Sequence, residues 1–126
     1  MSTPTGYRVQ DPSTDQVVET FPTLADGEVD QLLAAAETAQ RAWAARPIEE
    51  RATIVQKVAD LFEERKDELA QIIATEMGKP LAQGIGEAEL AGSIYRWYAT
   101  HGPELLQDEL LDPQGAQESL VQTEPI

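Results

Sequence analysis

The chain is 126 residues long, which allows one domain at most, and 41% of it is hydrophobic, enough for a modest core. Its 23 acidic against 9 basic residues leave a net charge of −14, which argues against nucleic acid and anionic membrane surfaces, since both need basic patches. With no cysteine, disulfides, thiolate metal sites and thiol nucleophiles are excluded within it.

Met1 to Gly6 lacks the apolar run of a secretion signal, and no later run approaches the length of a membrane span, so the cytoplasm is the expected compartment. Tyr7 to Gln10 and Val17 to Phe21 lean towards β structure, and Asp11-Pro12-Ser13-Thr14-Asp15 between them is dense in turn formers. The pattern predicts an edge hairpin, too short to stand without a larger body beneath it. A first helix is expected from Glu28 to Ala45, with Val29, Leu32, Leu33, Ala36, Ala39 and Trp43 at helical spacing and Asp26 as its N-cap. Arg46 precedes a proline and is pushed out of helical geometry. Pro47 then suits the first position of a second helix, with Glu49 and Glu50 at its positive end.

That second helix carries Ile54, Val55, Val58, Leu61 and Phe62 on one stripe. The charged run Glu63 to Glu68 reads as a solvated face, and a break there would set off a shorter helix, Asp67 to Met77. Glu76-Met77-Gly78-Lys79-Pro80 then stops one helix and starts another. Gly78 suits the left-handed C-cap, Lys79 sits by the last carbonyls, and Pro80 opens the next helix. No Gly-rich loop surrounds Lys79, so it is not a phosphate-binding lysine.

The next helix should span Pro80 to Thr100 and end at Gly102-Pro103. Leu81, Ile85, Leu90, Ile94, Tyr95, Trp97 and Tyr98 make it apolar on more than one side, the pattern of a buried helix. Gly84, Gly86 and Gly92 each cost about 1 kcal/mol relative to Ala, tolerable where another backbone or a ligand approaches closely. Beyond a turn at Asp112-Pro113-Gln114-Gly115, Glu118 to Thr123 alternates as a strand with no obvious partner except the early hairpin. A strand running to Pro125-Ile126 reads as interrupted.

Groups able to carry chemistry are few. His101 is the only histidine and, at an expected helix end, suits capping better than catalysis. Ser93 has no base in register, and the many carboxylates show no spacing that selects a catalytic pair. Trp43, Tyr95, Trp97 and Tyr98 are expected in the core, and Arg96 among them needs a carboxylate or carbonyl partner if buried. Gly84-Ile85-Gly86 lacks the third glycine and preceding strand of a dinucleotide fingerprint. The expected fold is α+β and mainly helical: three to four helices, an N-terminal β-hairpin and a C-terminal strand, with no self-sufficient active site.

The order of these segments resembles the N-terminal part of the aldehyde dehydrogenase superfamily. Asp11-Pro12-Ser13-Thr14 with Val17-Val18 is similar to its opening Asn-Pro-Ser-Thr-Gly-Glu-Val turn, with Asp for Asn and Asp15 for the usual Gly. Ala39 to Trp43 with Glu50-Arg51 resembles its first helix pair, and Gly78-Lys79-Pro80 its Gly-Lys-Pro turn. Ile94 to Ala99 with His101-Gly102-Pro103 most resembles succinate-semialdehyde dehydrogenases, and Glu124-Pro125-Ile126 the strand leading into the nucleotide-binding segment.

The resemblance covers nearly the whole chain. It implies oxidation of an aldehyde, succinate semialdehyde above all, to the carboxylic acid with NAD or NADP. In that family a Cys thiolate attacks the carbonyl, hydride passes to the nicotinamide, and a Glu-activated water hydrolyses the thioester. Those groups lie beyond the matching residues. Residues 1–126 are therefore expected to be the helical layer and oligomerisation strands of such an enzyme. Its dinucleotide-binding core and catalytic domain, and with them the catalytic Cys and Glu, would be absent here.

The resemblance also implies that the carbonyls of Val9 and Gln10 and the carboxylate of Glu76 hold a monovalent cation, an oxygen cage suited to a hard ion. The other reading of Glu76 is a solvated residue at a helix end. Gly86 and Leu90 fall on the face that lines the aldehyde funnel in the family; for Leu90 the other reading is core packing. The isolated chain is expected to bind no cofactor, to be inactive, and to need the remainder of the dehydrogenase or other subunits of a homo-oligomer. The alternative is a stand-alone helical interaction module without catalytic activity.

Overall fold

In a computed structural model, described over residues 6–111 and 119–124, the elements run β1 (Tyr7–Asp11), β2 (Gln16–Phe21), α1 (Asp26–Ala44), α2 (Ile48–Glu64), α3 (Lys66–Met77), α4 (Leu81–Leu105), β3 (Glu109–Leu111) and β4 (Ser119–Val121). The expected turn at Asp112–Gly115, the start of the last strand at Glu118 and the closing Pro125-Ile126 lie outside the described residues.

β1 and β2 pair antiparallel, Tyr7 opposite Phe21, with a register shift between Val9 and Gln10. Asp11 holds the turn: its Oδ1 accepts from Ser13 N–H at 2.8 Å and from the Ser13 hydroxyl at 2.7 Å. Those side-chain and backbone bonds from Ser13 keep the Asp11 carboxyl below its ordinary range. Asp15, standing where the resembling turn has Gly, adopts a left-handed φ of 59°, and its N–H bonds back to Asp11 O at 2.8 Å. Asp is among the few non-glycine residues that tolerate this conformation.

Helix starts follow chain chemistry with small shifts from expectation. The N-cap of α1 is Ala25, not Asp26, and the reciprocal bond comes from Glu28, whose Oε2 accepts the Ala25 N–H at 2.8 Å. Asp26 instead joins the first turn, where its charge suits the helix dipole. Pro47 and Pro80 are both N-caps, one residue earlier than expected; their extended ψ of 145° and 134° leaves their carbonyls to accept the first helical bonds. The break inside the charged run falls at Arg65, whose guanidinium grips Glu68 through two bonds of 2.8 and 2.6 Å. The end of α3 is as the glycine predicts: Gly78 has φ 69° and its N–H bonds Ala74 O at 2.9 Å. Lys79 reaches not the last carbonyls but the carboxylate of Glu87 on α4.

α4 packs across α2 and α3 through small residues. The buried positions of the three helices are Ala59, Ala70, Gly84, Ala88, Gly92 and Ala99. A Cβ placed on Gly84 would lie 3.1 Å from Ala70 Cα, and one on Gly92 would lie 3.2 Å from Phe62 Cβ, so both glycines answer to a close backbone approach. Around this seam, Phe62 stacks on Tyr95 at 5.4 Å, Arg96 pairs with Asp60 at 2.9 Å, and Lys66 bridges Glu63 and Glu89 at 2.7 and 2.8 Å.

Two expectations fail here. α4 is not buried all round: Leu90, Ile94, Trp97 and Tyr98 are 49–60% exposed, and among the described residues no large side chain is fully buried. Only the small-residue face is covered, because α2 and α3 lie on one side of α4 and nothing described lies on the other. Nor does Gly102-Pro103 end the helix. Pro103 cannot bond the Ala99 carbonyl, yet α4 runs on to Leu105, and Leu106 N–H closes on Gly102 O at 3.0 Å. Pro103 and Leu106 line an apolar pocket of about 190 Å³ together with Trp43, Ile48 and Val55.

The C-terminal strand also has a partner that the sequence reading missed. β4 pairs antiparallel with β3, Leu110 opposite Leu120, as a second hairpin separate from the first. Three residues without a β-branched member gave no strand signal at Glu109–Leu111.

Candidate functional site

The hairpin and the α3–α4 turn meet at Pro12 and Gly78. A Cβ on Gly78 would stand 2.8 Å from Pro12 Cγ, so the turn that stops α3 also seats the hairpin. β1 packs on α3, with Val9, Gln10 and Asp11 half-buried, while Glu76 in the last turn of α3 is exposed. The elements expected to carry the cation oxygens are therefore neighbours, and the register shift at Val9–Gln10 lies on the strand beside α3. The Gln10 amide nitrogen donates to the Asp15 carboxylate. Among the described residues no three His, Cys, Asp or Glu side chains gather as a metal cluster.

Gly86 and Leu90 lie one turn apart on α4, on an exposed face away from the small-residue seam. A Cβ on Gly86 would meet nothing within 4 Å, and Leu90 is 60% exposed, so the core-packing reading of Leu90 does not hold. The same face continues into aromatic contacts: Trp97 meets Tyr98 edge-on at 5.0 Å and His101 at 4.7 Å. Tyr95, Trp97 and Tyr98 are 41–60% exposed rather than core residues, and His101 sits inside α4 against Trp97 rather than capping it. Ser93 donates to Leu90 O at 2.7 Å, a local helix bond with no base at hand.

One residue that the sequence marked only by resemblance, and gave no role, stands out. Arg51, in the first turn of α2, has a buried Nε with no hydrogen-bond partner among the described residues. Its sequence signals were its place after Glu49 and Glu50 and the Glu50-Arg51 pair in the resemblance. No described helix is long and apolar enough to cross a membrane.

Comparison with known proteins accounts for this arrangement. Residues 1–126 match the aldehyde dehydrogenase family. A succinate-semialdehyde dehydrogenase (NADP(+)) of Deinococcus radiodurans is 43% identical over 110 residues, covering 86% of this chain and 23% of that protein. A glutarate-semialdehyde dehydrogenase of Pseudomonas putida is 32% identical over 119 residues, covering 94% of this chain and 25% of that one. The crystal structure of succinic semialdehyde dehydrogenase from Streptococcus pyogenes in complex with NADP+ superposes with a TM-score of 0.80 at 28% identity, over 86% of this chain and 24% of that one. The chain thus spans about a quarter of the length of the relatives it matches. With a family match along its whole length and a backbone that follows the family's solved structures, the chain belongs to the aldehyde dehydrogenase family.

Proposed function

We propose that these 126 residues form the N-terminal helical layer of a cytoplasmic, homo-oligomeric NAD(P)-dependent aldehyde dehydrogenase that oxidises succinate semialdehyde to the acid. The observation that carries this reading is the whole-length family match to proteins about four times longer, combined with a chain that contains no cysteine. A thiolate nucleophile must then come from elsewhere in the polypeptide. When bound, the nicotinamide cofactor supplies the hydride acceptor; no residue of this chain is assigned to hold it.

What this chain contributes is position. The Pro12–Gly78 contact sets the hairpin against the end of α3, and the α2–α3–α4 seam holds the exposed face of Gly86 and Leu90 at the aldehyde funnel. The carbonyls of Val9 and Gln10 and the carboxylate of Glu76 would hold a monovalent cation; their all-oxygen chemistry and the packing of β1 on α3 support the assignment. The test is NAD(P)-dependent oxidation of succinate semialdehyde, run on the 126-residue chain and on the longer polypeptide that contains it. The longer protein is expected to turn over and the short one not. Turnover by the short chain alone, or none by the long one, refutes the reading.

A further inference from the structure

We propose that Asp26-Gly27, at the start of α1, is a covalent modification site in the folded protein, where Asp26 converts through a cyclic imide to isoaspartate. The reaction needs an aspartate followed by an unhindered amide nitrogen, a turn loose enough to open, and water. Of the chain's aspartates only Asp26 precedes a glycine. Asp11 and Asp112 precede proline, which has no N–H to give up. The others precede Gln, Leu or Glu, whose side chains crowd the nitrogen. Asp15 and Asp60 are further held by Gln10 and by Gln56 with Arg96.

The local structure favours the same pair. Glu28 and Val29 N–H both bond Ala25 O, at 2.9 and 3.1 Å, while the Gly27 N–H has no acceptor among the described residues. Asp26 and Gly27 are exposed, and a Cβ on Gly27 would meet nothing within 4 Å, so a ring closing there meets no neighbour. Helical geometry at Asp26 holds the Gly27 nitrogen off the line of attack on Cγ, so the first turn has to open. Little holds it shut: Ala25 has no side-chain cap to offer, glycine is a poor helix former, and α1 has no buried residue.

In the opened turn the Gly27 nitrogen attacks Asp26 Cγ. The N–Cγ bond forms, and a carboxyl oxygen leaves as water with the amide proton. Water then adds to one of the two ring carbonyls. Addition at Cγ restores Asp26. Addition at the main-chain carbonyl breaks its bond to Gly27 and leaves the chain running through Cγ. No atom is gained or lost over the two steps, and nothing is oxidised or reduced. The product has one more methylene in its main chain and a carboxylate where the Asp26 carbonyl stood, so that carbonyl can no longer accept a helical bond and α1 loses its first turn.

The test incubates the longer polypeptide at neutral pH, folded and denatured, and maps isoaspartate by electron-transfer fragmentation. In the folded protein Asp26 is expected to exceed every other aspartate. Gly27→Leu should slow the conversion about tenfold in both states, since a side chain hinders the nitrogen. Ala25→Ser completes a Ser-Asp-Gly-Glu capping box and should slow it about fivefold in the folded protein alone. Isoaspartate confined to the denatured protein, or no higher at Asp26 than elsewhere, overturns the proposal. So does an unchanged rate in Gly27→Leu, or an Ala25→Ser effect that is absent or equal in the two states.

Discussion

α4 and α1 are both long helices with apolar residues at regular spacing, and they end in opposite situations. α4 buries Gly84, Ala88, Gly92 and Ala99 against Ala59, Ala70 and Phe62, and three ion pairs from Lys66, Lys79 and Arg96 tie it to its surroundings. α1 has no buried residue, and Val29, Leu32 and Leu33 on its stripe are 41–64% exposed. Apolar spacing shows that a helix has a face to cover. It does not show whether the cover lies within the same stretch of sequence. Small residues are the better sign of internal packing here, since the close approach they permit is what α2, α3 and α4 share.

The contrast breaks hardest at the seam. Gly84→Val forces atoms into Ala70 Cα and its carbonyl, and should destabilise the chain by about 3 kcal/mol, read as a lower midpoint in chemical denaturation followed by circular dichroism. Gly78→Ala meets both a left-handed φ and the ring of Pro12; a loss of about 1–2 kcal/mol is expected, with Pro12→Ala relieving the steric part. Arg96→Met removes an exposed ion pair with Asp60 and should cost about 0.5 kcal/mol, an effect that fades in high salt. Leu33→Ser on the bare stripe of α1 should leave the midpoint unchanged within about 0.5 kcal/mol while reducing the binding of an apolar dye. A large loss from Leu33→Ser would erase the distinction between the two helices.

The hairpin offers a pH test of smaller scale. Because the folded state holds the Asp11 carboxyl below its ordinary range, its contribution is present above that range and is lost as pH falls through the lowered value. The Ser13 amide resonance should therefore hold steady at neutral pH and shift only under acid conditions, and Asp11→Asn should abolish the shift. A Ser13 shift near neutral pH would contradict the assignment.

Much of the fold was legible because backbone chemistry is local. Gly78, Pro47, Pro80 and the charged run at Arg65 mark every boundary among the helices to within a residue or two, and the Asp-Pro-Ser-Thr turn marks the first hairpin. What was not legible depended on partners. Pro103 stays inside α4, on the wall of a pocket whose other lining residues, Trp43 and Ile48, come from far along the chain. β3 forms only because β4 pairs with it, and its own residues carry no strand preference. The aromatic residues of α4 lie exposed because their spacing promised a cover that these residues do not supply. Of the candidate site, the meeting of hairpin and turn followed from the order of segments, and the exposure of Gly86 and Leu90 did not. The unpaired Nε of Arg51 was not legible because burial of a single nitrogen has no signature in a run of letters.

The packed seam closes within one uninterrupted stretch, from Ile48 on α2 to Leu105 on α4. Each of its contacts joins residues made within a few seconds of one another during synthesis. The unit can therefore close early in synthesis, from contacts within this one stretch. Closing it fixes the exposed face of α4 that carries Leu90, Trp97 and Tyr98.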